Sequence, residues 1–325
     1  MKNQFVFVLL SLSVVVVHAQ KVNHVFPIAS AGGWDYIAVN QNKLYVSHGT
    51  QVNILDKATG DSVGVIPNTT GVHGIAFDNT TGRGYTSNGR LNNVTVFDLA
   101  TNAILGQIAT GTNPDAILYE PFTKTIITCN GRSNDLSVIN VTTQQVIATI
   151  PVGGKPETAV SDNEGKLFVN IEDKSEIAVI NLATNSVISR WPLKPGEGPS
   201  GLAIDVATKR LFSTCDKLLV VVDATDGKIV AKLPIGDGTD GVSFDNATKM
   251  IYTSNGEGTI TAVKESDANS FTVAATIPTR KGARTITIDE STHTLYLPTA
   301  AFEATTPKGQ RPKMIPGTFQ VLVVN

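Results

Sequence analysis

The chain is poor in cysteine and in charge, and each shortage excludes certain classes of protein. Only two of its 325 residues are cysteine, Cys129 and Cys215, and they fall in different parts of the chain. No disulfide framework is therefore expected, and we predict that both are buried free thiols. Charged residues make up 17% and the formal net charge is −2, which argues against a strongly electrostatic grip on nucleic acid.

Several motifs that carry chemistry are also absent. The sequence has no nucleophile elbow, no Cys/His pair at a metal-binding spacing, no phosphate-binding loop and no haem-attachment motif. The chemistry of an enzyme, if there is one, would have to come from residues that only the fold brings together. The catalytic residues are therefore left unassigned, and no cofactor is predicted apart from a possible divalent cation.

Only one long apolar run is present, and it lies at the N-terminus. Lys2 precedes the apolar residues 5–17, and the small residue Ala19 comes before Gln20. A short apolar run behind a positive charge is typical of a secretory signal peptide and is too short to span a bilayer comfortably. We predict a signal peptide over residues 1–19, cleaved near Ala19, and one domain over residues 20–325. The mature chain is expected to be periplasmic or secreted, without a membrane span.

The rest of the sequence repeats with a period of about forty residues. A strand-like segment recurs with steps of 40, 42, 41, 44, 40 and 44 residues, at Tyr45, Tyr85, Ile127, Phe168, Phe212, Tyr252 and Tyr296. Within each repeat, alternating apolar and polar residues are separated by turns rich in Asn, Asp, Gly and Thr, which predicts a four-stranded meander. A period of this length made only of strands is typical of propeller blades. We predict an all-β, seven-bladed β-propeller of four-stranded antiparallel blades.

The second repeat and the chain ends show how such a ring would be built and closed. In the second repeat the expected strands are 74–78, 84–88, 94–98 and 103–108. The last repeat ends at residues 321–325, which match a third strand, and residues 22–28 resemble the fourth strand of other repeats. We predict that this N-terminal strand completes the last blade and so removes an open edge.

One acidic residue recurs at the end of the first strand of six repeats. Because it recurs so regularly, we expect it to hydrogen-bond the backbone of the following turn rather than to form a functional site of one repeat. The six residues are Asp78, Glu120, Asp162, Asp205, Asp245 and Asp289. His293 falls in such a turn of the last repeat, where we expect an exposed side chain.

The second strands carry a family pattern. The segments Tyr45-Val46-Ser47-His48, Tyr85-Thr86-Ser87-Asn88 and Tyr252-Thr253-Ser254-Asn255 resemble the YVTN-repeat propellers, including the exported bacterial YncE-like proteins. The resemblance covers essentially residues 20–325 and implies an extracytoplasmic seven-bladed propeller, usually without an assigned activity. The sixth and seventh repeats depart from the pattern, with Lys264 after the third strand and Pro298-Thr299 in place of Ser-Asn. The scaffold is more distantly similar to 6-phosphogluconolactonase-type lactonases, but no distinctive lactonase motif is present.

In a meander the start of the first strand and the end of the second strand lie on the same face. Two sets of residues should therefore surround one mouth of the central channel. The first, which we call the mouth ring, is Asp35, His73, Asp115, Glu157, Ser200, Asp240 and Arg284. The second is His48, Asn88, Asn130, Ile171, Cys215, Asn255 and Thr299.

The mouth ring is the best candidate for a ligand site. Carboxylates brought close together raise one another's pKa or recruit a cation, and a carboxylate beside His73 can serve as a general base or a metal ligand. The candidate ligand-binding residues are Asp35, His48, His73, Asp115, Glu157, Asp240 and Arg284. The candidate ligands of a calcium or magnesium ion are Asp35, His73, Asp115 and Glu157. The alternative is that these residues are polar only because the mouth of a propeller channel is exposed to solvent.

An insertion in the last repeat is the second candidate. Tyr296 and Val321 are 25 residues apart, against 7 to 9 for the equivalent positions elsewhere. The inserted loop carries Lys308, Arg311 and Lys313, and Arg280, Lys281 and Arg284 enter the same blade. Long loops in compact folds are either functional or unstructured. If functional, these cations would form a patch for an anionic partner.

Three functions remain open from the sequence. The first is a non-enzymatic binding module of the bacterial cell envelope. It is expected to be a monomer whose partner is an envelope protein or a small anionic or sugar-derived ligand. The second is a lactonase-like hydrolase that uses Asp, Glu and His at the channel mouth, with or without a divalent cation. The third, single-stranded nucleic-acid binding through the basic loop, is disfavoured because no aromatic residues are interleaved with its cations.

Overall fold

The structure is a computed structural model that describes residues 20–30, 32–303 and 313–325. Seven four-stranded antiparallel sheets form the blades of a β-propeller. The first four blades consist of β2 (Trp34–Asn40), β3 (Lys43–His48), β4 (Gln51–Asp56) and β5 (Ser62–Ile66); β6 (Val72–Asp78), β7 (Arg83–Asn88), β8 (Asn93–Asp98) and β9 (Ile104–Ala109); β10 (Pro114–Glu120), β11 (Thr125–Asn130), β12 (Asp135–Asn140) and β13 (Gln145–Pro151); and β14 (Pro156–Ser161), β15 (Lys166–Ile171), β16 (Glu176–Asn181) and β17 (Ser186–Pro192).

The last three blades follow the same plan. They consist of β18 (Leu202–Asp205), β19 (Arg210–Cys215), β20 (Leu218–Asp223) and β21 (Ile229–Pro234); β22 (Thr239–Asp245), β23 (Met250–Asn255), β24 (Thr259–Asp267) and β25 (Ser270–Pro278); and β26 (Thr287–Asp289), β27 (Thr294–Thr299), β28 (Gln320–Val324) and β1 (Val22–Pro27). A 3-10 helix (Glu172–Lys174) links β15 to β16. The strands predicted for the second repeat are confirmed to within two residues at each end.

The predicted closure of the ring is also confirmed. Strand β1 pairs antiparallel with β28, so that Phe26 lies opposite Val321 and Val25 opposite Leu322. The Phe26 ring lies 6.5 Å from that of Tyr296 and against Gly60 of the first blade, where a Cβ atom would come within 2.3 Å of it. The N-terminal strand therefore joins the last blade by hydrogen bonds and the first blade by packing.

The core lies between neighbouring blades. The recurring large residue of the second strand is buried there, and at two positions an aromatic ring meets one of the next blade: Tyr45 with Phe77 at 4.8 Å and Phe212 with Phe244 at 5.2 Å. Cys129 and Cys215 are both buried and unbonded, as predicted. Among the described residues, no helix has the length and apolarity needed to cross a bilayer.

The acids that close the first strands do bond the turns that follow them. The Asp78 carboxylate accepts from the backbone N–H of Thr80 at 3.0 Å, and Glu120 accepts from that of Thr123 at 2.6 Å. Some of them also join two blades, since Lys249 donates to Asp205 at 2.8 Å.

The expectation for His293 needs correction. Although the side chain is 45% exposed, its Nδ1 atom lies 2.8 Å from the Asp245 carboxylate of the preceding blade. The histidine is therefore a contact between blades rather than a free surface residue.

Candidate functional site

A backbone irregularity aims the mouth-ring side chains. In each of the first four blades the register of the first and second strands shifts at the ring position, so that two residues of the first strand lie opposite one of the second. Such β-bulges bend a strand and redirect its side chains. The residues placed at these bulges are Asp35, His73, Asp115 and Glu157. The sequence motif alone gave no indication of the bulge.

The serine of the Tyr-x-Ser-Asn pattern holds this backbone in place. Ser87 accepts from the N–H of Gly74 at 2.8 Å and donates to the carbonyl of Asp115 in the next blade. Ser254 donates in the same way to the carbonyl of Arg284. The scaffold motif thus fixes the main chain beneath the mouth ring, including that of the neighbouring blade.

Three side chains of the ring meet at one point. The Nδ1 atom of His73 lies 2.5 Å from an oxygen of Asp35 and 3.7 Å from an oxygen of Asp115. One ligand atom from each of the three can be chosen so that all lie within 4.8 Å of one another. The imidazole is therefore held between two carboxylates that come from the blades on either side.

Arginine and lysine hold the remaining carboxylates. Arg284 lies 2.7 Å from Asp240 through Nε and 3.4 Å from Asp35 through Nη2. Lys155 lies 3.0 Å from Glu157 and also contacts Glu172. Ion pairs therefore link charged side chains of five blades around the mouth, and those of the fourth blade form a separate group beside them.

The buried carboxyl groups of this network are not ordinary acids. Burial, together with the charges of Asp35 and Asp240, raises the pKa of Asp115 to about 7 despite the opposing charge of His73. Burial and the charge of Asp115 raise the pKa of Glu157 to about 8 against the effect of Lys155. Both side chains are only 13% exposed. Removing charge from water and crowding like charges both favour the protonated acid.

His73 responds in the opposite sense to burial. Burial lowers the pKa of His73, but the hydrogen bond to Asp35 and the charge of Asp115 outweigh it and leave the pKa above its usual value. The two neighbouring carboxylates therefore favour the charged imidazolium form of His73 over the neutral ring.

Tyr36 forms the floor of the mouth and was missed from the sequence. It extends from the first blade across the channel, and its hydroxyl lies 3.4 Å from that of Thr158 in the fourth blade. Burial and the four ring carboxylates raise its pKa well above the usual value. The sequence does single out Tyr36, because the equivalent residue in each of the other six repeats is small: Gly74, Ala116, Thr158, Gly201, Gly241 and Thr285.

The channel that Tyr36 lines is narrow. A cavity of about 180 Å³ runs along the first strands and is lined by Tyr36, Ile37, Thr158 and Asp240 among others. The mouth ring therefore stands over a small cavity and not over a wide open pore.

The structure groups three of the four candidate metal ligands. Asp35, His73 and Asp115 lie close enough to share one cation, whereas Glu157 is paired with Lys155. Carboxylate oxygens suit calcium or magnesium, and a histidine nitrogen suits a transition metal better.

The other predicted ligand residues lie at different places. Asp240 and Arg284 form the far side of the ring. His48 is fully buried, with Nε2 2.9 Å from the Gly32 carbonyl and Nδ1 against the Ser30 hydroxyl, and its ring stacks on Phe319 at 3.9 Å. The structure does not bring His48 into the ion-pair network.

The inserted loop of the last blade is described only at its base. There Phe302 pairs with Met314 in antiparallel fashion, and the N–H of Glu303 donates to the Lys313 carbonyl at 2.9 Å. The Lys313 ammonium lies 3.0 Å from the Glu303 carboxylate, and both side chains are exposed. Lys308 and Arg311 lie outside the described residues, so their predicted role stays a prediction.

Three solved structures share this fold over almost the whole chain. Kuenenia stuttgartiensis hydrazine synthase matches with a TM-score of 0.74 and 14% identity, over 95% of this chain and 98% of that one. The WD40 repeats of RRP9 match with a TM-score of 0.78 and 10% identity, and U3-55K with 0.77 and 11%, each over 93% of this chain and 97% of the other. The chain matches no protein-family model and no curated protein. At these identities the likeness shows the fold alone, a seven-bladed propeller with WD40-like repeats.

Proposed function

We propose that this protein is an exported binding module of the bacterial cell envelope, of the YVTN-repeat type, with a small-ligand site at the mouth ring. The propeller fold is widely used as a platform for binding. The signal-peptide pattern of residues 1–19 supports export, and the Tyr-x-Ser-Asn pattern supports the family. Both remain proposals about this chain.

The observation that carries the proposal is the convergence of charged side chains from six blades on one small space. Burying carboxyl groups is unfavourable unless a partner compensates them. A fold that needed only a solvated channel mouth could leave these positions neutral and small, as six of the seven residues in the neighbouring column are. Groups with strongly shifted pKa values in a concave site are typical of functional sites, which favours a ligand that interacts with these carboxyls.

The ligand that suits this chemistry is rich in positive charge or in hydroxyl donors. Asp35, Asp115 and Glu157 offer carboxyl oxygens as acceptors, and the His73 ring offers an N–H donor. A calcium or magnesium ion, or a sugar-derived ligand whose hydroxyls donate to the carboxylates, would match them. The ligand would lie above Tyr36.

The test is ligand-induced stabilisation. We expect calcium, magnesium or a sugar lactone to raise the melting temperature of the protein, and Asp115→Asn to abolish that rise while the fold is kept. The matched control is Asp226→Asn, because Asp226 lies in an exposed turn and pairs only with Lys228 at 3.7 Å. If none of these ligands stabilises the protein, or if Asp115→Asn responds like the parent, the proposed site is refuted.

A second candidate is a lactone hydrolase, and one contact favours it. The Nδ1 atom of His73 is held 2.5 Å from Asp35, an arrangement in which a carboxylate orients a histidine that acts as a general base. Hydrolysis of a lactone by the parent, lost in His73→Gln with unchanged melting temperature, would favour the enzyme. Ligand stabilisation without any turnover would favour the binding module.

A further inference from the structure

A second concave site opens beside the mouth ring, between the sixth, seventh and first blades. Its volume is about 630 Å³, within the range of roughly 300–1,000 Å³ typical of small-molecule pockets. Eight described residues line it: Gly33, Trp34, Gly256, Lys281, Gly282, Arg284, Phe302 and Met314. We call it the rim pocket.

One wall of the rim pocket is aromatic. The Trp34 ring lies 6.0 Å from that of Phe302 and 5.3 Å from the buried ring of Phe319. Phe302 is held over the backbone of Gly282, where φ is +83° and a Cβ atom would come within 2.6 Å of the ring. The antiparallel pairing of Phe302 with Met314 fixes this wall at the base of the inserted loop. The aromatic surface is therefore built by the fold.

The charges of the rim pocket are of one sign. Two of the eight described lining residues are cationic and none is acidic. Arg284 is anchored by Asp240 and Asp35, which fixes its guanidinium at the boundary with the mouth ring while 37% of its side chain stays exposed. Lys281 is exposed and adds a second positive charge. An anion in the pocket could pair with the fixed guanidinium of Arg284 and with the flexible ammonium of Lys281.

A polar atom in the aromatic wall also lacks a partner. The Nε1 atom of Trp34 is buried and has no acceptor among the described residues. Buried donors are nearly always hydrogen-bonded in folded proteins, so an unpaired donor needs an explanation.

We propose that the rim pocket binds a small organic anion with a planar apolar body, of the aromatic carboxylate class. Its ring packs against Trp34 and Phe302, and its carboxylate lies near Lys281 and Arg284. Burial of the ring supplies apolar contact area, and the carboxylate gains charge-assisted hydrogen bonds. This proposal does not depend on a ligand at Asp35, His73 and Asp115, because only Arg284 belongs to both sites.

The experiment measures the binding of cinnamate by calorimetry and by the indole N–H signal of Trp34 in a ¹⁵N-labelled protein. The chain has only two tryptophans, so Trp191→Phe assigns the signal. We expect cinnamate to bind and to shift the Trp34 signal. Cinnamamide, which has the ring but no charge, and acetate, which has the charge but no ring, should each bind at least about tenfold more weakly, a difference of about 1.4 kcal/mol.

Two variants test the place of binding. A Cβ atom added at Gly33 meets nothing within 4 Å, so Gly33→Leu should fill the pocket and abolish binding without lowering the melting temperature. The matched control is Gly106→Leu in an outer strand, where the nearest atom to an added Cβ is 3.9 Å away. Lys281→Gln should weaken cinnamate but not cinnamamide, whereas Lys217→Gln, which alters an exposed pair with Asp237, should change neither.

The proposal is overturned by any of three results. These are the absence of cinnamate binding at millimolar concentration, equal affinity for cinnamate and cinnamamide, and unchanged binding in Gly33→Leu. Stabilisation that is lost in Asp115→Asn but kept in Gly33→Leu belongs to the mouth ring and not to the rim pocket, so the two sites succeed or fail separately.

Discussion

The closure of the ring by strand β1 can be tested by removing it. A protein that begins at residue 29 lacks the strand, while one that begins at residue 20 keeps it. The loss exposes the edge of β28 along five residue pairs and removes two buried side chains, Phe26 at 6% and Ile28 at 5% exposure. Open sheet edges also invite pairing with other chains.

The loss of folding free energy on removing β1 can be estimated from these contacts. Truncating a buried Phe to Ala costs about 3–5 kcal/mol and a buried Ile about 2–5 kcal/mol, and each lost backbone hydrogen bond adds about 1 kcal/mol. The loss is therefore on the order of 10 kcal/mol, comparable with the total stability of roughly 5–15 kcal/mol of a folded protein. We expect the shortened protein to melt far below the longer one or to lose a cooperative transition.

Thermal unfolding followed by circular dichroism measures this. A synthetic peptide of residues 20–30 should restore the transition by adding the missing strand, and the same peptide with Phe26→Asp should not. In the full protein, Phe26→Ala should lower stability by about 3–5 kcal/mol, whereas His24→Ala, on the exposed side of the same strand, should have little effect. Equal melting temperatures for the two lengths would refute the pairing of β1 with β28.

Three further outcomes are expected. The two carboxyls with pKa values of about 7 and about 8 bind protons more tightly in the folded than in the unfolded protein, so the melting temperature should fall as pH rises from about 5 to about 8, where the aspartates of lowered pKa are already ionised, and less steeply in Asp115→Asn; an equal slope in both proteins would contradict the shifts. Ser87→Ala should lower the free energy of unfolding in urea by about 1–3 kcal/mol, because a buried N–H and carbonyl lose their partner; no change would contradict this role. Replacing Lys308, Arg311 and Lys313 with Ser should weaken binding of an anionic partner in envelope-extract pull-downs, more at low salt than at high salt, and retention of every partner would refute a recognition role for the loop.

The repeat carried enough information to predict the ring but not the details of its mouth. A forty-residue period with strand alternation gave the blades and the closing strand, because both depend on a pattern that the whole chain shares. The convergence of Asp35, His73 and Asp115 depends on bulges, which no local pattern in the first strands announced. Lys155 was missed because its pairing with Glu157 and Glu172 joins the ring to a loop.

The rim pocket could not be predicted because its wall joins distant parts of the chain. Trp34 lies in the first blade, and Phe302 and Met314 lie at the base of the insertion in the last blade. Only the closed ring makes them neighbours. The length and cations of the insertion were visible in the sequence, whereas its apolar contribution was not.

The geometry of the mouth also explains why the repeat motif is informative about fold and silent about ligand. In five of the seven blades a polar side chain at the serine position bonds the backbone at or beside a mouth-ring residue, its own or the next blade's: Ser47, Ser87, Asn170, Thr214 and Ser254. These bonds reach main-chain atoms, which every residue has. The motif therefore fixes where a ring side chain starts and leaves its identity free. It follows that exchanging ring side chains, such as His73→Gln, should leave the fold intact while changing what the mouth binds, whereas exchanging the motif serines should disturb both.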